Sequence, residues 1–170
     1  MIMIETLEDR MRHVVDRDAE GWAVDAQVSD VVSKHLRRVI TSSGLCMSRF
    51  GHKDFAKCES SLGKLLPNDA MAIVDSTLIV MHALGIDPPT LEDITDLVDE
   101  FEDVIAQYGV LSSCVITRAA SDAMLCYFSD GEEMSPELVM SLGEIICGAA
   151  LLVQRVGGDF NELVIRKPAS

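Results

Sequence analysis

Aromatic residues are scarce in this chain, at 5% of 170 residues, so its 48% hydrophobic content is mostly Leu, Ile, Val, Ala and Met. Those side chains suit helix packing, and their abundance excludes the low-hydrophobicity signature of disorder. The five cysteines show no framework spacing, which argues against an extracellular disulfide scaffold. Cys46, His52 and Cys58 stand six apart in turn. That is not the short spacing of a structural zinc site, and a fourth ligand is missing. No export signal is visible, because residues 1–20 alternate charge with apolar groups. The longest apolar stretches, Leu78–Leu84 and Ile145–Val153, are too short to span a bilayer. A reducing cytoplasm is the expected compartment.

Basic charge is absent from most of the second half. Residues 1–64 carry ten basic and ten acidic side chains, whereas residues 65–154 carry Arg118 alone against sixteen acidic ones. The formal net charge of −14 therefore lies almost wholly in the second half. Direct binding of a nucleic-acid backbone by that half is disfavoured. A solubilising face, a metal-ion surface and a face for a basic partner protein all remain open.

Several catalytic patterns are also lacking. No Ser-His-Asp pattern and no adjacent His-Asp pair occur. Gly63-Lys64 lacks the upstream glycine and the following Ser or Thr of a phosphate loop. Asp130-Gly131-Glu132-Glu133 lacks the alternating acidic positions of a calcium loop.

What is present is helical periodicity. Ile4, Leu7, Met11 and Val14 form a first stripe, which Gly21-Trp22 interrupts. Val28, Val32, Leu36, Val39 and Cys46 predict a second helix over about 25–50, and 51–67 reads as a polar connection. A third helix, about 68–84, is apolar all round and should be central, with Gly85 as its stop. A central helix of that kind needs cover on every side, which suggests oligomerisation. Asp75 on it needs a partner, and Arg118 or the cluster Lys34, Arg37 and Arg38 are the candidates. His82 reads as a core or boundary residue.

Asp87-Pro88 predicts the start of a fourth helix, with Leu91, Ile94, Val98, Phe101, Ile105 and Tyr108 inward. Its other face holds Glu92, Asp93, Asp96, Asp99, Glu100, Glu102 and Asp103. That face is either solvated or a docking surface for a basic partner, with Glu92, Asp96, Asp99, Glu100 and Asp103 as the contacts. Lys34, Arg37 and Arg38 either touch an anion or balance Asp30. A fifth helix covers about 110–128. A sixth starts at Ser135-Pro136 and stops at Gly157-Gly158, and Asp159 caps a short seventh. The expectation is an all-α bundle of about six to seven helices in a single domain, 1–170.

Two segments echo at an offset of 72 residues: Ala72–Asp87 and Glu144–Asp159. Each is a long apolar helix, a glycine stop and an Asp before a further helix. Val39-Ile40-Thr41 similarly echoes Val115-Ile116-Thr117. Halves of about 1–90 and 91–170 are the candidates for a duplication.

The run Leu142-Gly143-Glu144, its apolar helix and Gly157-Gly158-Asp159 resembles the second half of the MazG-like all-α nucleotide pyrophosphohydrolases. Asp69-Ala70-Met71-Ala72 leading to Leu84-Gly85-Ile86-Asp87 resembles it more faintly. The resemblance implies Mg²⁺ as cofactor and cleavage of nucleoside triphosphates to monophosphate and pyrophosphate. It also implies a metal site made by a Glu-x-x-Glu pair on one helix and a Glu-x-x-Asp pair on the next. Residues three apart share a helix face, and hard carboxylate oxygens suit Mg²⁺. Here, however, Ala119 and Asp122 stand for the first pair, and Ser141 and Glu144 for the second. In the first half the matching positions are Ser43, Cys46, Asp69 and Ala72. Only Asp122, Glu144 and Asp69 remain as candidate catalytic carboxylates, with Asp122 and Glu144 as candidate metal ligands. The expectation is a non-catalytic or weakly catalytic MazG-like protein that binds a partner protein or a nucleotide. The alternatives are an active Mg²⁺-dependent pyrophosphohydrolase and an acidic adaptor.

Overall fold

The computed structural model describes the backbone of residues 3–19, 27–50, 55–106, 111–155 and 158–165. Side chains are described over the same residues except 18–19, 45–50, 55–68, 101–106, 111–114 and 155. Among the described residues there are seven helices and no strand: α1 (Leu7–Ala19), α2 (Val28–Phe50), α3 (Phe55–Leu84), α4 (Leu91–Ala106), α5 (Leu111–Ser129), α6 (Pro136–Arg155) and α7 (Phe160–Val164). The protein is all-α, as its periodicity requires.

Helices α2, α3, α6 and α5 form a closed ring of four, each packed on the next, with α5 returning to α2. α1 lies on α3, α4 lies on α6, and α7 touches both α3 and α6. Buried side chains from all seven helices join one core cluster. The central α3 packs against α1, α2, α6 and α7 of its own chain.

The polar connection expected over 51–67 is helical from Phe55, so α3 reaches 30 residues. Pro67 inside it forgoes one backbone hydrogen bond. Punctuation residues were overridden by the tertiary pairing of α3 with α2. The stop at Gly85 is as expected: φ is +70°, Gly85 N–H donates to His82 O at 3.1 Å, and Ile86 N–H donates to Met81 O at 2.8 Å. Only glycine adopts that φ without cost. Ile86, just beyond, is buried.

The expected start of α4 at Asp87-Pro88 is not where the helix begins. Thr90 is the cap. Its Oγ1 accepts from Asp93 N–H at 3.0 Å, while Asp93 Oδ2 accepts from Thr90 N–H at 3.3 Å, a reciprocal box. Ile94 and Val98 are buried, whereas Glu92, Asp96, Asp99 and Glu100 are exposed. Each buried branched side chain contributes about 1.5–3 kcal/mol. Each like-charge pair four apart costs only about 0.2–0.5 kcal/mol. Burial therefore holds α4 against its own charge.

α6 begins as expected, with Ser135 Oγ accepting from Leu138 N–H at 3.2 Å. Its stretch Pro136–Gln154 is long and apolar enough, by length and composition, to cross a membrane. Two-thirds of that stretch is buried inside the bundle (67%), so its apolar face is already occupied by protein. Asp159 caps α7 through Asn161 N–H at 2.9 Å and Glu162 N–H at 3.4 Å.

Candidate functional site

A groove of about 560 Å³ runs between α5 and α6. Its α5 wall presents Val115, Ala119, Asp122, Leu125 and Cys126, with Arg118 at the rim. Its α6 wall presents Met140, Ser141, Glu144, Cys147, Gly148 and Leu151, with Glu137 at the rim. These residues recur at three- and four-residue steps on each helix, so a single face of each lines the groove. The floor is apolar and buried: Ala119 is 1% exposed, Cys147 5% and Leu151 4%. The lip is apolar and open, with Leu125 at 64% and Met140 at 60%.

All four positions carried over from the pyrophosphohydrolase resemblance on this side, Ala119, Asp122, Ser141 and Glu144, face this one groove. Asp122 and Glu144 come from opposite walls. Ala119 and Ser141, both buried, supply no carboxylate where the resemblance implies one. Arg118 Nε lies 3.8 Å from Asp122 Oδ2. Both side chains are solvated, so that pair is worth little. Among the described residues, no three of His, Cys, Asp and Glu converge in a way that could hold a metal ion. Mg²⁺ bound by protein alone wants near-octahedral oxygen donors, and the residues here do not fit it.

Cys147 sits on the floor. Burial, and then the Glu144 carboxylate beside it, push its thiol up to about 11. At neutral pH it is a protonated small apolar group, not a nucleophile.

The first half holds a counterpart. A smaller groove, about 220 Å³, is lined by Arg17 of α1, Arg38 of α2, and Met71, Ala72, Asp75, Ser76 and Ile79 of α3. Adding the 72-residue offset maps Ala72, Asp75, Ser76 and Ile79 onto Glu144, Cys147, Gly148 and Leu151 of the large groove. The smaller groove is walled by cations. Asp75 finds its partner, but not among the candidates read from sequence. Arg10 grips it two-handed, Nε to Oδ1 at 2.6 Å and Nη2 to Oδ2 at 3.2 Å, and Arg17 stands 3.8 Å away. Arg10 Nη1 also donates to Leu163 O at 3.4 Å, tying α1 to the C-terminus of α7. The pair is well sheltered, at 11% and 14% exposure. Arg10 was legible: it lies three residues after Leu7 and four before Val14, on the apolar stripe itself.

Of the other sequence candidates, Asp69 is half-buried on α3 and does not line the α5–α6 groove. Ser43 is buried, with its Oγ 2.7 Å from Thr117 Oγ1, linking α2 to α5. Lys34, Arg37 and Arg38 are exposed on α2. His82 is exposed, so of the two expected places it is not in the core: it sits on the outward side of the last turn of α3, beside the buried Met81. Glu92, Asp96, Asp99 and Glu100 form one exposed acidic face of α4. The side chains of Asp103 and Cys46 lie outside the described residues, as do those of His52 and Cys58. The sequence singles out neither lip residue: Leu125 lies on α5, which carries no sharp apolar stripe, and Met140 lies on α6 off its buried stripe. No family model, curated protein or solved structure matches this chain.

Proposed function

We propose that the protein works by binding and not by turnover: a MazG-like helical bundle of the cytoplasm whose α5–α6 groove takes a ligand without hydrolysing it. One observation carries this reading. The groove gathers all four positions of the resemblance, and two of the four are the buried, carboxylate-free Ala119 and Ser141. A sheltered, mostly apolar groove with a few charged groups at its rim is a general binding geometry. Without carboxylates at those two positions, the groove lacks the anionic donors to hold a metal that activates water.

A second reading has one observation in its favour. Asp122 and Glu144 still face each other's wall of the same groove, as a magnesium-dependent pyrophosphohydrolase would require. A single assay separates the two. Nucleoside triphosphates are incubated with the chain and magnesium, pyrophosphate is followed, and binding is read in parallel by calorimetry. Binding proposes no pyrophosphate release. Release that Glu144→Ala abolishes would establish the enzyme.

A further inference from the structure

The shape and charge of the α5–α6 groove select its occupant, and this inference rests on the binding reading above. On α6 the lining runs from Glu137 to Leu151. That is about four helical turns, or about 21 Å at 1.5 Å per residue. A trough of that length between two antiparallel helices, with Leu125 and Met140 open along its lip, fits an amphipathic helix laid along it. Methionine at such a lip adapts to the side chains it meets.

The charge is one-sided. Glu137 and Glu144 of α6 and Asp122 of α5 ring the groove, and Arg118, the single cation on its lining, already leans on Asp122. No other Lys or Arg lies anywhere in residues 65–154. Polyphosphate would bring negative charge to a negative rim. A second copy docked about a twofold axis would set each acidic rim against its own duplicate. Among the described residues, the exposed Lys and Arg outside this groove lie on α1 (Arg12 and Arg17) and α2 (Lys34, Arg37 and Arg38), and the apolar sides of both helices (Leu7, Met11 and Val14; Val32, Leu36 and Val39) are spent in the core.

The first half of the molecule shows the same mode of packing in cis. There the amphipathic α1 lays Leu7, Met11 and Val14 into the core and sends Arg10 and Arg17 to Asp75. Asp75 is the offset counterpart of Cys147 in the open groove. We propose that the α5–α6 groove is the docking site for a basic amphipathic helix of a partner protein, with apolar residues toward Leu125, Met140 and the floor, and Lys or Arg toward Asp122, Glu137 and Glu144.

The test titrates the full chain with two synthetic helices of about four turns. They share one Leu/Met stripe but carry Lys/Arg flanks in one and Glu flanks in the other. The basic helix should bind at least about tenfold more tightly, and raising the salt should weaken it. E137K with E144K should abolish that preference, and Met140→Asp should weaken both helices. All three sites are exposed, so helicity by circular dichroism should be unchanged. Equal binding of the two helices, or binding indifferent to Met140→Asp, overturns the proposal. So does self-association of the chain that Met140→Asp breaks, because a second copy is then the occupant. If neither helix binds but a nucleotide does, this proposal fails while the binding reading stands. Pyrophosphate release removes both.

Discussion

The two helical hairpins, α2–α3 and α5–α6, are built alike and finished differently. Both pack into the same four-helix ring, and each carries a flanking helix, α1 on α3 and α4 on α6. Both long helices end on the same bond at the 72-residue offset: Ile86 N–H to Met81 O at 2.8 Å, and Gly158 N–H to Val153 O at 3.0 Å. The first hairpin then spends its groove on structure. Arginines from α1 close over Asp75, and the space left is about 220 Å³. The second leaves its groove open at about 560 Å³, with an apolar floor and an acidic rim. A cation from a neighbouring helix, placed or not placed, decides which groove is available to a ligand.

The largest effect should come from breaking the closed groove. Asp75→Ala strands Arg10, which is only 9% exposed. Removing one partner of such a sheltered pair costs about 3 kcal/mol, read as a fall in the urea midpoint. Glu144→Ala, at the exposed offset counterpart of Ala72, should leave the midpoint nearly unchanged. Similar losses in both would end the contrast between a structural and a free groove.

Next comes the stop of α6. A Cβ on Gly158 would meet Val153 Cγ1 at 2.9 Å and Val153 O at 3.3 Å. Gly158→Ala should therefore cost about 1–3 kcal/mol through overpacking. In the first hairpin the equivalent position already holds Ile86, opposite the unbranched Met81. Val153→Met combined with Gly158→Ala should recover most of the loss, and no recovery would show that the backbone contact, not the β-branch, is at fault.

The caps give a smaller test. Asp159→Ala should cost about 1 kcal/mol, and Asp87→Ala almost nothing, because Thr90 caps α4 in place of Asp87. Equal costs in thermal melts would restore Asp87 as a cap.

The last effect is confined to high pH. The Cys147 thiol is raised to about 11 in the folded chain, by burial first and then by Glu144. A raised folded value means that its contribution is fully present below the ordinary thiol value of 9.0. The contribution is lost as pH climbs toward 11, because the unfolded chain ionises first. Urea midpoints should fall less over that window in Cys147→Ala than in the parent. Parallel curves would remove the buried thiol from the account.

Helix existence and several ends were legible in the sequence, because stripes, glycine stops and Ser-Pro starts are local. Gly85, Ser135 and Asp159 act as read. The start of α3 was not legible. Gly63 and Pro67 argue for a break, and the pairing of α3 with α2 overrides them, which no local rule expresses. The caps Asp87 and Thr90 compete within four residues, and only geometry chooses between them. At the site, the resemblance is what singled out Ala119, Asp122, Ser141 and Glu144, and the four line one groove. The openness of that groove was hidden, since it depends on how far α5 and α6 splay and not on any motif. The partner of Asp75 is Arg10, 65 residues away in the chain, and not Arg118 or the cluster Lys34, Arg37 and Arg38, because the packing of α1 on α3, which no local pattern expresses, brings it there.

The most direct test of the account is a calorimetric titration of magnesium into the full chain. With Ala119 and Ser141 in place of two carboxylates, the account predicts no saturable heat below the millimolar range, and none that Glu144→Gln changes. Micromolar binding that is lost in both Asp122→Asn and Glu144→Gln would contradict it and mark the open groove as a working metal centre.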